Sequence, residues 1–346
     1  MSIQQAVAKV VDRQDLSHEE MTAVMYQVMS GDATDAQIGG LLVALRMKGE
    51  TIEEIAGAAS VMRELATPVD VSQENLVDLV GTGGDGANLF NVSTGATFVV
   101  AAAGGRVAKH GNRSVSSTTG SSDVLETLGV PLDLSAEQVA RAITEVGMGF
   151  MFAPAHHSAM RHAIGPRREL GMRTLFNILG PLTNPAKVQR QVLGVFSKDL
   201  CEPMAAALKA LGSVHAMVVH SHDGLDEISI ADKTHVCELR NGDLTSYTLS
   251  PEDVGITTQS LDGLEVSSAA ESAALIRAAL GGETDERARK AAAMLTLNAG
   301  ATLYVAGVAA TIADGVAMAE DVVATGQAAE KLKAFVDFTQ LMRQEG

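Results

Sequence analysis

The sequence is poor in aromatic residues, with no tryptophan, three tyrosines and eight phenylalanines among 346 residues. β-Sandwich domains, and recognition modules that bind through aromatic side chains, usually contain a larger share of aromatic residues. A core of Ala, Val, Leu and Met with 33 glycines is instead typical of α/β enzymes. Cys201 and Cys237 are the only cysteines. They predict neither a disulfide framework nor a zinc site, and they favour a reducing cytoplasm.

Positive charge is also scarce, because 26 basic residues face 42 acidic ones and the formal net charge is −16. An acidic surface repels nucleic-acid backbones and anionic membranes, so we expect neither as a partner. With 46% hydrophobic and 20% charged residues, the chain is too apolar for disorder. Its length is sufficient for a full core in one large domain or two.

Targeting and membrane segments are not evident in the sequence. Residues 1–15 carry early charges without a continuous apolar run, so no signal peptide is predicted. Residues 291–313 carry no charge and are numerous enough to cross a bilayer. This stretch is nevertheless rich in Ala and Thr, includes Asn298 and is interrupted by glycines. We therefore expect a pair of buried helices in a soluble protein.

The basic residues are concentrated in two stretches. Residues 87–122 contain three bases and no acid, and residues 146–198 contain seven bases and one acid. Their net charges are +3 and +6, which leaves −25 on the rest of the chain. Two positive islands in an acidic protein favour a small polyanionic ligand over a general basic face.

Hydrophobic periodicity divides the chain into a helical start and an alternating remainder. Capping boxes at Ser17–Glu20 and Thr51–Glu54 begin helices, and no strand is predicted before Leu76. Strands are predicted at 76–80, 106–108, 191–196, 215–220 and 234–239, with helices between them. This α/β alternation predicts a mostly parallel sheet covered by helices, with ligands at the carboxyl ends of its strands. Residues 154–185 carry no strand signal, so they could return to pack on the N-terminal helices.

A glycine-rich loop, residues 81–86, follows the first predicted strand and satisfies the pattern G-x-G-x-x-G. A dinucleotide site would place an acidic residue after the next strand, but Lys109 and His110 stand there. Asp85 would repel a bare pyrophosphate unless a cation lay between them. We therefore predict a phosphate loop with a cation. A tight strand-to-helix turn is the alternative.

Two further segments carry hydroxyl, amide and cationic donors. In the first, residues 91–95, Ser93 or Thr94 could cap a helix or bind a phosphate oxygen or hard cation. The second, residues 109–122, combines Lys109 and Arg113 with many hydroxyls. It suits phosphate binding, with a flexible polar loop as the alternative.

An acidic pair, Asp226 and Glu227, follows the predicted strand 215–220. Adjacent carboxylates at a strand end suit a hard divalent ion held together with phosphates, although surface charges in a turn fit the spacing equally well. The nearby histidines His215, His220 and His222 suggest zinc only weakly, because no third ligand has suitable spacing.

Six blocks of sequence, in this order, resemble the anthranilate phosphoribosyltransferase family over essentially the whole chain. They are residues 81–86, 91–94, 109–113, 165–174, 177–185 and 226–227. The last three blocks are more specific than the glycine loop, which related nucleoside phosphorylases share in modified form. Leu89 departs from the family pattern, since many members have Thr or Ser there.

The resemblance implies that anthranilate and 5-phosphoribosyl 1-pyrophosphate react to give N-(5-phosphoribosyl)anthranilate and pyrophosphate, in tryptophan biosynthesis. It implies Mg²⁺ as cofactor, with two ions, and a cytoplasmic homodimer joined through a small helical domain. That domain would comprise residues 1–70, completed by about 160–188. A larger α/β domain of the nucleoside phosphorylase/phosphoribosyltransferase type, with a mostly parallel central sheet, would comprise residues 71–159 and 189–346.

The resemblance also implies roles for individual residues. Those implied for phosphoribosyl pyrophosphate are Gly81, Thr82, Gly84, Asp85, Asn91, Val92, Ser93, Thr94, Lys109, His110, Gly111, Asn112, Arg113, Ser114, Val115, Ser116, Ser117 and Ser121. Those implied for anthranilate are Gly81, Asn112, His157, Arg167 and Pro181, and those for the metal are Ser93, Asp226 and Glu227. His110 is the one candidate for a general base.

Two other functions are compatible with parts of the sequence. A nucleoside phosphorylase of the same architecture would bind phosphate and a pyrimidine, but the Arg-rich block 165–174 disfavours it. A non-catalytic relative that binds nucleic acid would need a basic surface, which the charge outside the two islands excludes.

Overall fold

The fold is given by a computed structural model that describes residues 1–113 and 119–345. Its α-helices are α1 (Ile3–Val11), α2 (His18–Ser30), α3 (Asp35–Lys48), α4 (Ile52–Leu65), α5 (Val92–Ala102), α6 (Ser121–Leu128), α7 (Ala136–Glu145), α8 (Ala153–His156), α9 (Arg161–Leu170), α10 (Phe176–Leu179), α11 (Cys201–Ala210), α12 (Ala269–Leu280), α13 (Glu286–Ala306), α14 (Ile312–Ala324) and α15 (Gln327–Glu345). Short 3₁₀ helices lie at Ser158–Met160, Gly180–Leu182, Lys198–Leu200 and Pro251–Val254.

The strands are β1 (Leu76–Gly81), β2 (Arg106–Gly111), β3 (Met148–Phe152), β4 (Arg190–Gly194), β5 (His215–Ser221), β6 (Thr234–Arg240) and β7 (Asp243–Leu249). They form one sheet in the order β3-β2-β1-β4-β5-β6-β7. The pairs from β3 to β5 are parallel, whereas β6 and β7 are antiparallel additions. The predicted mostly parallel sheet is confirmed.

Two of the four N-terminal helices, α2 and α4, begin where their sequence predicts. The predicted capping boxes at Ser17–Glu20 and Thr51–Glu54 are both present, so each N-cap side chain and its partner three residues later satisfy free backbone N–H groups. The apolar faces of these helices form one hydrophobic cluster, which also contains Ala163 of α9. Helix α9 packs against α2 and α3.

Two strands were not predicted, β3 and β7. Strand β3 is a short apolar run of the sequence MGFMF, which does not distinguish a strand from a buried helix. Strand β7 lies at the sheet edge and is largely exposed, so it lacks hydrophobic alternation. The turn before β7 did carry a signal that predicts a hairpin. Asn241 and Gly242 both have positive φ, as the two-residue hairpin turn between β6 and β7 requires.

The chain leaves β1 toward β2 and β3 on one side and later returns to β4 on the other side. Such a reversal opens a crevice at the carboxyl ends of the strands involved. The uncharged stretch 291–313 lies mainly in α13 and runs to the start of α14, which confirms the predicted pair of helices. In the described part of the chain, no helix is long and apolar enough to span a membrane.

Candidate active site

A cleft of about 320 Å³ lies at the carboxyl ends of the central strands. Its walls come from the ends of β1 and β2, the start of α5, the turn after α10 and the acidic pair that follows β5. Segments that are far apart in the sequence therefore meet around one cleft. Lys109, Arg113 and Arg167 from the two positive islands line it, whereas Arg106 and Arg190 begin their strands at the opposite end of the sheet.

Asp226 and Glu227 are brought to the cleft by close backbone packing. The Gly83 N–H donates to Asp226 Oδ2 at 2.6 Å, and the Ser93 N–H donates to Glu227 Oε1 at 3.2 Å. A Cβ on Gly81 would lie 2.5 Å from Asp226 Oδ2, and one on Gly194 would lie 1.6 Å from the Asp226 carbonyl oxygen. Only glycine at these two positions lets the acidic pair approach the strand ends.

The acidic pair is electrostatically suited to a cation. Burial raises the pKa of Asp226 to about 7, and the nearby Asp85 carboxylate adds to the shift. Burial also raises the pKa of Glu227 well above its usual range, Asp226 adds to this, and Lys109 opposes it. In residues 1–113 and 119–345, no three His, Cys, Asp or Glu side chains form a metal-binding group by themselves. Mg²⁺ fits such a site, because it commonly takes one or two carboxylates and completes its shell with water and phosphate oxygens.

Lys109 is a buried cation between the sheet and α5. Its Nζ donates to the Leu79 carbonyl at 2.7 Å and to Ser93 Oγ at 3.3 Å. Burial lowers the pKa of Lys109, whereas Asp78 and Glu227 raise it. Lys109 therefore balances part of the buried negative charge beside the start of α5.

His110 and His157 form a buried pair with ring centroids 5.1 Å apart. Burial lowers the pKa of His110 to about 3 and that of His157 to about 4, so both rings are neutral near pH 7. His110 Nδ1 lies 3.2 Å from the Gly180 carbonyl, which fixes its proton there. The Nε2 atoms of both rings are buried and have no hydrogen-bond partner among the described residues. The pair therefore offers unused acceptors.

Arg167 is a second cation at the cleft, and its side chain is half-buried. Its guanidinium lies 5.1 Å from the centre of the Phe176 ring. Burial lowers the pKa of Arg167, and no carboxylate within the described ranges opposes that effect. A half-buried guanidinium without a counter-ion among the described residues favours an anion at this point of the cleft.

Most residues implied by the sequence line this cleft. One exception is His157, which contacts the His110 ring but does not line the cleft. The others are Ser114, Val115, Ser116 and Ser117, which lie outside the described residues. Arg113 lines the cleft, but its guanidinium pairs with Asp123 and Glu126 of α6. Of the three histidines weighed for zinc, His215 bonds Glu238 and His220 bonds the Val195 carbonyl, so these two have separate partners.

The N-terminus of α5 differs from the interpretation in which Ser93 or Thr94 caps the helix. Asn91 is the N-cap of α5 and makes no side-chain capping bond, so neither Ser93 nor Thr94 is the cap. The Asn91 side chain instead accepts hydrogen bonds from Thr119 Oγ1 and Ser272 Oγ, both at 2.8 Å. The Ser93 hydroxyl accepts from Lys109 and faces the cleft.

Comparison with known proteins supports this architecture. The glycosyl transferase family, helical bundle domain, matches residues 4–66, and the glycosyl transferase family, a/b domain, matches residues 73–329. The anthranilate phosphoribosyltransferase of Saccharophagus degradans is 65% identical over 341 residues, which cover 99% of this chain and 100% of that protein.

The chain belongs to the anthranilate phosphoribosyltransferase family. Two solved structures of the family agree with the fold. The Thermus thermophilus enzyme has a TM-score of 0.90 and 45% identity, covering 97% of this chain and 99% of its own. The Saccharomyces cerevisiae enzyme, in complex with PRPP and Mg, has a TM-score of 0.88 and 27% identity, covering 98% of each chain.

Several residues that line the cleft were not predicted as site residues from the sequence. Phe176, Asn177 and Gly180 line the cleft. Asn177 and Gly180 lie in a block that carried the resemblance, whereas Phe176 falls just before it. Arg173 stacks 4.2 Å from the Phe196 ring centre and donates to the Gly84 carbonyl, so it holds the glycine-rich loop from outside. Its block was recognised, but no signal indicated this contact.

A larger and more open cavity, of about 830 Å³, lies beside the cleft of the family member. Residues of α6, β3 and α15 line it, and Arg113 is the one lining residue that it shares with the cleft. Among the residues that the structure describes, it contains none of the others implied for substrates or metal. The smaller cleft is therefore the site at which the buried charges converge.

Proposed function

We propose that the protein transfers the phosphoribosyl group of 5-phosphoribosyl 1-pyrophosphate to the amine of anthranilate, in tryptophan biosynthesis. The bond from ribose C1 to the pyrophosphate oxygen breaks, a bond from C1 to the amine nitrogen forms, and the amine loses one proton. The observation that carries this proposal is the cleft itself. It places a half-buried Arg167, which has no counter-ion among the described residues, on one side, and the acidic pair and the glycine-rich loop on the other.

The pyrophosphate half of the reaction is assigned to the face of the cleft next to α5. Lys109 and the glycine-rich loop would hold the pyrophosphate, the loop through backbone N–H groups. Asp226, Glu227 and the Ser93 hydroxyl would hold Mg²⁺, and we propose two ions. When bound, the metal neutralises charge on the departing pyrophosphate. The raised pKa values of the two carboxyl groups support this assignment, because a cation relieves their repulsion.

The anthranilate half is assigned to the face formed by His110, Arg167 and Pro181. A guanidinium matches the geometry of a carboxylate, so Arg167 would bind the anthranilate carboxylate. The amine donates hydrogen bonds, and His110 Nε2, which has no partner among the described residues, is an acceptor at the cleft. His157 does not line the cleft and would act only through its contact with His110. His110 could thus receive the amine proton, but its pKa near 3 makes it a weak base, so its main role would be orientation.

We further propose that the small helical domain, residues 1–70 completed by about 160–188, joins two copies into a homodimer. Met47 of α3 and Ile164 of α9 are 70% and 53% exposed, and these two helices pack on each other. Apolar side chains exposed on adjacent helices favour a protein contact. Light scattering of a Met47→Glu, Ile164→Glu double variant tests this, since monomers are expected. A cytoplasmic location, favoured by two free and buried cysteines, stays a prediction.

The test of the reaction is anthranilate depletion followed by fluorescence. We expect depletion only when phosphoribosyl pyrophosphate and Mg²⁺ are both present. Phosphorolysis of a pyrimidine nucleoside, without anthranilate depletion, would instead support a nucleoside phosphorylase.

A further inference from the structure

An asparagine in the middle of an apolar helix contacts the segment that carries the acidic pair. Asn298 of α13 is fully buried. Its Nδ2 donates to the Ile228 carbonyl at 2.9 Å, and its Oδ1 accepts from the Ile228 N–H at 3.0 Å. One side chain therefore satisfies both backbone groups of Ile228.

Ile228 directly follows Asp226 and Glu227, so this contact fixes the chain where the acidic pair ends. The contact is distinct from those of other polar residues in α13. Thr296 and Thr302 are also buried, but their hydroxyls donate to carbonyls of their own helix, at Ala293 and Asn298. Asn298 also donates to the Met294 carbonyl, which holds its amide in a single orientation. A buried amide with every group paired defines one geometry.

The same helix also supports the start of α5. A Cβ on Gly95 would lie 2.8 Å from Leu295 Cδ2, so α5 and α13 are in close contact there. Leu295 and Asn298 are three residues apart and share one face of α13. That face therefore touches both the helix that presents Ser93 and the segment that presents Asp226 and Glu227.

Helix α13 is itself fixed by close packing. A Cβ on Gly300 would lie 2.6 Å from the Val316 backbone nitrogen, and one on Gly315 would lie 2.2 Å from the Gly300 carbonyl oxygen. Helices α13 and α14 thus meet backbone to backbone. Helix α13, which carries Asn298, therefore has little freedom to shift when only the segment with the acidic pair is perturbed.

We propose that Asn298 is a positioning residue for the magnesium site: its amide fixes the Ile228 backbone so that the Asp226 carboxylate faces the glycine-rich loop and the Glu227 carboxylate faces the start of α5. The inference rests on the proposed function of that acidic pair. It assigns a binding role to a residue that touches neither substrate nor metal.

The test compares Asn298→Leu with Thr302→Val in the full-length protein. Both changes remove a buried polar group from the same face of α13, but only the first breaks the contact with Ile228. Calorimetric titration of Mg²⁺ in the presence of phosphoribosyl pyrophosphate measures metal affinity without turnover. Loss of an outer-shell partner typically weakens metal binding about 10–100-fold, and we expect a weakening in that range for Asn298→Leu. We expect about twofold or less for Thr302→Val, and KM for anthranilate should change little in either variant.

A second substitution keeps the test decisive if Asn298→Leu does not fold. Asn298→Ala leaves space in which water can bond the Ile228 groups, and we expect it to fold with an intermediate loss of Mg²⁺ affinity. Wild-type Mg²⁺ affinity in a folded variant would overturn the positioning role while leaving the proposed function intact. Absence of Mg²⁺ binding and Mg²⁺-dependent turnover in the wild-type protein would overturn the proposed function itself.

Discussion

Lys109 and His110 are neighbours at the end of β2, and their side chains leave the sheet on opposite faces. Lys109 Nζ reaches Ser93 at the start of α5, whereas His110 Nδ1 reaches Gly180 in the turn after α10. Successive side chains of a strand point to opposite faces, so one dipeptide serves both walls of the cleft. The two proposed substrates would meet across this strand end.

Removal of the Lys109 charge should affect the two substrates unequally. We expect Lys109→Met to lower kcat/KM for phosphoribosyl pyrophosphate about 100-fold, as loss of one preorganised donor typically does. Anthranilate affinity should be largely retained. Steady-state kinetics with each substrate varied in turn measures this. An equal loss for both substrates would indicate general damage to the cleft.

Removal of the Arg167 charge should have the opposite selectivity. Arg167→Met keeps a long side chain at this position but removes the guanidinium that lies over the Phe176 ring. We expect KM for anthranilate to rise about tenfold or more, since a charge-assisted hydrogen bond contributes roughly 1.5–3 kcal/mol. Tm should change little, because the lost charge is half-buried and has no counter-ion among the described residues. A lower Tm with unchanged KM would contradict the assignment.

Neutralising Asp226 should stabilise the metal-free protein while it abolishes metal-dependent turnover. Burial places the folded-state pKa of Asp226 at about 7, above its unfolded value near 4. The folded state therefore binds the proton more tightly, and its stability falls as pH rises between those values. We expect Asp226→Asn to raise Tm by about 2–4 °C at pH 8 without metal. The gain should vanish below about pH 4. Calorimetric scans across that pH range, with EDTA present, measure this difference.

A mutation at Glu238, in the part of the sheet away from the cleft, should change stability without changing activity. Burial alone would raise the pKa of Glu238, but hydrogen bonds with His215, Tyr304 and Tyr247 outweigh it and hold the pKa below its usual range. Glu238→Gln should therefore cost about 2 kcal/mol of unfolding free energy at pH 7. The difference should shrink as pH falls below about 4, through the folded-state pKa.

Urea unfolding at several pH values tests the Glu238 prediction, and kcat should stay at the wild-type value. His215, the partner of Glu238, begins β5, whereas the cleft lies at the carboxyl end of that strand. A stability loss that does not depend on pH would contradict the charge-based explanation.

Local signals in the sequence were sufficient for some of the helices, α2 and α4 among them, and for five strands. The boxes at Ser17 and Thr51 act within one helical turn, so they could be predicted without tertiary information. Strand β7 was missed because an exposed edge strand lacks an apolar period, although the Asn241–Gly242 turn marked it. Strand β3 gave no comparable signal.

The site could be predicted only as a set of residues, not as an electrostatic arrangement. Nothing in the sequence shows that Gly194 must lack a side chain because Asp226 lies against it, 32 residues away. Likewise, the lack of a counter-ion for Arg167 in the described part of the chain and the hydrogen bonds between Asn298 and Ile228 depend on chain packing over long separations. These features required the structure.

The most direct test of the account is the identity of the bond formed in the cleft. Nitrogen-15-labelled anthranilate is incubated with the protein, phosphoribosyl pyrophosphate and Mg²⁺, and the product is analysed by NMR. The account predicts a new coupling between the labelled nitrogen and ribose C1, with one pyrophosphate released for each anthranilate consumed. Unchanged anthranilate, or pyrophosphate released without a bond from nitrogen to C1, would contradict it.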